Sequence, residues 1–197
     1  MPVSLIPSFL IYCYVTGITP GPANLCSLSA ALRYGRKTAL RQWRGMVCGF
    51  FLDAMGAVVI TWLLGAALNE YVGMLSWVGA LYLLWMAWHM IRSSGTNSDK
   101  DSGAPSFWTG MLINLTNVKV IIFCLTALSG FVLPYTRSFW TLLLVGVCLP
   151  FTGPICNLVW LFAGASLQKL FANHRKAVDI VMALSLVLCA VSLVWPH

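Results

Sequence analysis

Two ionisable side chains stand well inside apolar stretches of this chain, Asp53 and Lys119. A charge at mid-bilayer costs at least about 2.5–3.5 kcal/mol on insertion scales, so each is a functional candidate by default. A third feature is backbone rather than charge. Pro20-Gly21-Pro22 interrupts another apolar stretch. A proline inside a helix removes one donor and clashes with the carbonyl four residues back, at about 3 kcal/mol, so the tripeptide predicts a broken helix. In hydrocarbon the freed N–H and C=O groups must be buried in protein or line a cavity. Broken helices near the midplane are where many transporters hold their cargo.

The break has its own chemistry. The half-helix that begins near Gly21 presents unpaired N–H groups and a positive dipole end, which favour a carboxylate. Carbonyls freed near Thr16 to Ile18 accept an ammonium or a proton-coupled water. Together they shape a site for a zwitterion, with Thr19, Asn24 and Ser27 adding side-chain hydrogen bonds. The plainer alternative is a gating or packing kink with no ligand, since Pro and Gly are common in membrane helices.

Gly45, Gly49, Asp53 and Gly56 recur at spacings that share one helix face. Small residues on one face let another helix approach closely, so Asp53 is expected to point into the bundle. There it suits a group that loads and releases a proton. The competing reading is a structural carboxylate held by a neutral donor or by Lys119. Lys119 would neutralise Asp53 or attract a cargo carboxylate. Its angle is awkward: in an unbroken helix Asn117 and Lys119 lie about 200° apart, and no proline nearby interrupts that helix.

The elements that must position these groups are membrane helices. Hydrophobic residues make up 59% and charged residues 9%, far below the charged share of about 25% in a soluble domain. The net charge of +7 therefore reports topology and not nucleic-acid binding. With about 20 apolar residues per span, six spans are expected, at roughly 8–32, 44–67, 71–91, 107–133, 139–165 and 176–195, forming one domain over 1–197. The one candidate linker is Ser93 to Pro105. Arg33, Arg36, Lys37, Arg41 and Arg44 lie between spans one and two, Arg92 and Lys100 between three and four, and Lys169, Arg175 and Lys176 between five and six. The positive-inside rule puts these connections in the cytoplasm and both termini in the periplasm. Trp43, Trp88, Trp108, Trp140 and Trp195 fall near span ends, as interfacial anchors do. No basic segment precedes the first apolar run, so no cleaved leader is expected.

Three spans in each half would insert oppositely, which predicts a 3+3 inverted repeat. The broken first span would correspond to the fourth, with Asn114, Asn117 and Lys119 near its middle. The fifth carries a second disrupted region, Pro150 with Gly153-Pro154, followed by Asn157. The seven cysteines all lie in apolar stretches without a C-x-x-C pair, so neither a disulfide framework nor a metal site is expected, and no cofactor. Cys26 follows the first break and Cys124 follows the polar cluster of span four. Were the two to meet, they would suit a transmembrane thiol–disulfide electron carrier. Inert packing is the stronger reading, because thiols in apolar surroundings are unreactive.

Thr19-Pro20-Gly21-Pro22-Ala23-Asn24, followed by Gly35, Gly45 and Gly49, resembles the signature of the LysE/RhtB family of amino-acid exporters. Asn117-Val118-Lys119 resembles that family's Asn-Pro-Lys motif. The segments Leu75 to Trp88, Ser106 to Trp108 and Asn117 to Pro134 are similar to its branch that exports cysteine and O-acetylserine. The resemblance implies a bacterial inner-membrane secondary transporter, not an enzyme, that moves a small zwitterion from cytoplasm to periplasm on the proton gradient. It assigns Pro20, Gly21, Pro22, Asn117 and Lys119 to the site; Asn24 joins them on the residue reading above. Asp53 is the candidate for proton coupling, and Gly45, Gly49, Gly153 and Pro154 serve helix packing or hinging. Val118 in place of the motif's proline leaves open whether the fourth helix is broken. The Gly45/Gly49 face would pack within the bundle or against a second copy. An accessory or channel-like subunit is the remaining reading.

Overall fold

The computed structural model describes residues 3–19, 21–65 and 105–173, with side chains described to residue 164, and single helical residues within 77–91 and 177–191. Expectations for Pro20, for the linker up to residue 104, for Trp195 and for most of 71–91 and 176–195 lie outside the described residues. Among those described, every regular element is helical: α1 (Ile6–Ile18), α2 (Pro22–Leu64), α3 (Phe107–Leu115), α4 (Val118–Phe131), α5 (Phe139–Cys148) and α6 (Gly153–Asn173), with short 3-10 turns before α1 and between α5 and α6.

Length decides how these elements meet a bilayer. α2 has 43 residues, about 64 Å at 1.5 Å per residue, twice the hydrocarbon thickness of about 30 Å. It turns at Gly35, whose φ of 78° and ψ of 168° are the only non-helical angles within it. Glycine takes a positive φ without a Cβ clash. The basic segment 33–44, expected as a connection between spans, is thus helical on both sides of one glycine. Its Arg, Lys, Ala and Gln residues are good helix formers. α1 and the first arm of α2 are together long enough for one broken span, and Gly35 begins the return.

The fourth stretch is broken too. α3 and α4 are separated by Thr116 and Asn117 and bent by 58°. No proline is needed. Thr116 Oγ1 donates back to Leu112 O at 2.8 Å, and Asn117 Oδ1 accepts the Lys119 N–H at 3.1 Å. Asparagine caps a helix start well, so the chain ends one helix and begins the next within two residues. The fifth stretch, Phe139–Gly164, is apolar enough to span and is interrupted by the turn Leu149–Phe151.

α2 forms the spine. Its second arm meets α3 backbone to backbone: a Cβ on Gly45 would strike the Phe107 carbonyl, and one on Gly110 would strike the Gln42 carbonyl. Gly49 faces Met111 O in the same seam, where a Cβ would sit 2.6 Å away. In lipid such close packing, and not water exclusion, holds helices together. Gly56, expected on this face, is exposed with no described atom near it. On the other side α1, α2, α4 and α5 enclose a core of Phe9, Cys13, Phe50, Phe123, Cys124, Leu128 and Leu142. Tyr12 stacks on Phe123 with centroids 5.5 Å apart. Trp88, Trp108 and Trp140 are exposed, as anchors should be. Trp43 instead donates to Pro154 O at 2.9 Å, tying α2 to the start of α6.

Candidate functional site

Three helix starts converge. α2 opens at Gly21-Pro22, where proline's missing N–H leaves no donor unpaired. α6 opens in a similar way at Gly153-Pro154, and α4 opens at the Asn117 cap. All three line one cavity of about 50 Å³, walled by Phe50, Phe123 and Met46. That is room for several water molecules. Each start carries the positive end of its helix dipole, so the cavity favours negative charge before any side chain is added.

Lys119 adds a full charge. Its aliphatic chain lies across Gly21, where a Cβ would sit 3.0 Å from Cδ and 3.2 Å from Nζ. The ammonium donates to Thr19 O at 2.7 Å. Asn24 Nδ2 donates to Gly17 O at 2.9 Å and to Thr19 O at 3.0 Å. Trp160 Nε1 donates to Ile18 O at 3.0 Å. The last carbonyls of α1 are therefore engaged by the protein's own donors. The sequence led to the expectation of open carbonyls here for a ligand ammonium; the structure corrects that for Gly17 and Ile18, because side chains from α2 and α6 reach them first.

The polar groups continue as a buried network. Asn157 Nδ2 donates to Asn24 Oδ1 at 3.0 Å. Ser27 Oγ bonds Asn157 Oδ1 and lies 3.3 Å from Met46 Sδ. Asn114 Nδ2 donates to Met46 O at 2.6 Å. Such networks fix a unique arrangement when their members are satisfied, and here they join residues more than a hundred positions apart.

The expected site residues fall into two groups. Gly21, Asn24, Asn117, Lys119, Gly153 and Pro154 line the cavity, and Pro22 is buried beside it. Asn117 and Lys119, placed on opposite sides by an unbroken helix, reach one space because the helix restarts at Asn117. Gly45 and Gly49 lie away from the cavity in the α2–α3 seam. Asp53 is half-buried and not among the cavity-lining residues; its Oδ2 is buried with no hydrogen-bond partner among the described residues. Cys26 and Cys124 are both free thiols. Cys124 sits in the core with Cys13, whereas Cys26 neither belongs to that core nor packs against it.

Sequence reasoning missed Asn114, Asn157 and Trp160 as parts of the site. A signal existed for Asn157: Gly153-Pro154 repeats Gly21-Pro22, and each pair is followed by an asparagine within three residues. Nothing local marked Trp160, which caps a carbonyl 142 positions away.

Comparison with known proteins agrees with this architecture. The family model for LysE type translocators matches residues 14–196. The chain is similar to the cysteine/O-acetylserine efflux protein of Escherichia coli strain K12, 38% identical over 192 residues, covering 97% of this chain and 98% of that protein. The protein of the same name from Klebsiella pneumoniae is 35% identical over 194 residues, covering 98% and 99%. That from Salmonella typhimurium strain LT2 is 35% identical over 187 residues, covering 95% and 96%. No solved structure matches the chain. An all-helical bundle with membrane-long apolar helices, matched by one family model over nearly its whole length, is a transporter of the bacterial inner membrane: the chain belongs to the LysE type translocator family.

Proposed function

We propose that this chain exports small amino acids and their derivatives, foremost cysteine and O-acetylserine, from cytoplasm to periplasm. The observation that carries this reading is the cavity where the starts of α2, α4 and α6 meet the Lys119 ammonium. An amino-acid carboxylate fits there, close to Lys119 and to the N–H groups of Ala23 and Asn24. The cargo class follows from relatives whose names specify cysteine and O-acetylserine efflux. Pro20, Gly21, Pro22, Asn24, Asn117 and Lys119 form the binding site in this reading. Gly45, Gly49, Gly153 and Pro154 set packing and hinging.

The transporter has six spans in one domain, with both termini periplasmic. Breaks in both the first and the fourth stretch, each opening on the cavity, support a 3+3 inverted repeat. Export is driven by the proton gradient, with Asp53 as the exchanging group. Its buried, unpartnered oxygen among the described residues supports that role.

The test measures extracellular cysteine and O-acetylserine from cells overproducing the chain, against cells making Lys119→Ala at equal membrane expression. Accumulation with the native chain and its loss in the variant are expected. Equal accumulation in both would remove Lys119 from the mechanism, and none in either would remove these two cargoes.

A further inference from the structure

We propose that Asn114 is the acceptor for the cargo ammonium, so that a zwitterion lies with its carboxylate toward Lys119 and its amino group toward the end of α3. This rests on the export reading above and assigns the end of the cargo that reading leaves open.

Four buried side-chain oxygens have no hydrogen-bond partner among the described residues: Gln42 Oε1, Asp53 Oδ2, Thr61 Oγ1 and Asn114 Oδ1. Of these four residues, Asn114 is the one that lines the cavity. It is 3% exposed, so bulk water does not satisfy it. Its orientation is fixed from the other end, because Nδ2 donates one of its two protons to Met46 O at 2.6 Å. The amide therefore presents an acceptor and no spare route to turn it into a donor without breaking that bond.

The backbone around it points the same way. Asn114 lies in the last turn of α3 (Phe107–Leu115), where the helix dipole is negative and favours a cation. The three helix starts and Lys119 supply the positive side of the same cavity. The other negative helix end there, that of α1, has its Gly17, Ile18 and Thr19 carbonyls already holding Asn24, Trp160 and Lys119. An ammonium entering the cavity thus finds on α3 an unspent side-chain acceptor, held in place by its own amide's bond to Met46. Both ends of the cargo are then read, and an acid without an amino group leaves Asn114 buried and unpaired.

The test uses the purified full chain in reductant and titrates it calorimetrically with cysteine, with O-acetylserine and with 3-mercaptopropionate, which is cysteine without its amino group. The native chain is expected to prefer cysteine by about tenfold or more. Asn114→Leu is expected to weaken cysteine by that factor while leaving 3-mercaptopropionate unchanged. Should the leucine variant fail to fold, Asn114→Ser takes its place, since its shorter side chain withdraws the oxygen, and the same collapse of the preference is expected. Equal native affinities for the two acids, or a variant that weakens both in proportion, overturns the assignment and leaves the export reading intact. No native binding of cysteine or O-acetylserine overturns the export reading and this assignment with it.

Discussion

The ammonium of Lys119 lies 2.7 Å from the carbonyl oxygen of Thr19, 100 residues earlier in the chain. One contact thereby joins the break between α1 and α2 to the break between α3 and α4. Each break supplies what the other lacks. The first leaves helix-end carbonyls short of backbone donors, and the second delivers a cation to them. The lysine's burial, at 8% exposure, is tolerable because its charge meets that carbonyl oxygen.

Replacing Lys119 with Ala is expected to lower transport about tenfold or more, since a charge-assisted hydrogen bond contributes about 1.5–3 kcal/mol. Labelled O-acetylserine flux in membrane vesicles measures it. Lys119→Arg is expected to recover little, because the larger planar group does not fit against Gly21.

The bond between Asn157 and Asn24 should appear as a coupling. Thermal unfolding of Asn24→Leu, Asn157→Leu and the double variant in detergent forms a cycle. An interaction of about 0.6–1.7 kcal/mol is expected, in the range found for polar contacts between membrane helices. Strict additivity would show that the two amides do not act together.

Gly45→Val and Gly110→Val are expected to destabilise the bundle at or beyond the upper end of the about 1–3 kcal/mol typical of overpacking, because each new side chain meets backbone that cannot rotate away. Gly56→Ala serves as the contrast. With no described atom near its position, it is expected to be neutral or stabilising. Melting temperatures of the three purified variants decide the matter.

Asp53→Asn is expected to leave the fold intact and abolish any dependence of transport on a pH gradient. Flux in vesicles with and without an imposed gradient checks this. Unchanged gradient dependence in the variant would take Asp53 out of the coupling.

Serine at Cys26 and Cys124 together is expected to leave export unchanged, since Cys124 is fully buried in the core and Cys26 does not pack against that core. Mild oxidation followed by non-reducing electrophoresis and mass mapping should find no bond between them. A Cys26–Cys124 disulfide would revive electron transfer as a function.

Several of these features were legible in the residues themselves. The membrane class follows from composition, because a chain with so little charge cannot cover itself in water. The first break follows from Pro20-Gly21-Pro22 through the missing donor and the ring clash. The start of α6 was marked by Gly153-Pro154 for the same reason. The fourth break was harder to see. Its cause is local, an asparagine cap and a threonine bonding back to Leu112, yet neither residue forbids a helix as proline does.

What the residues determined by themselves were the properties carried by single side chains and short segments: apolar length, a severed helix, a charge that must be buried. Only the tertiary structure decided that Lys119 meets Thr19, that Asn157 bonds Asn24, that Asn114, a cavity-lining residue, keeps an oxygen unspent among the described residues, and that Asp53 is not among the residues lining that cavity. These depend on the rotation and depth of one helix against another. That rotation is fixed by backbone contacts such as Gly45 on Phe107 and Gly110 on Gln42, between residues more than sixty positions apart. A pattern of small residues announces that two helices approach closely, but the partner helix, the register and the side chains left facing the space between them are settled by packing.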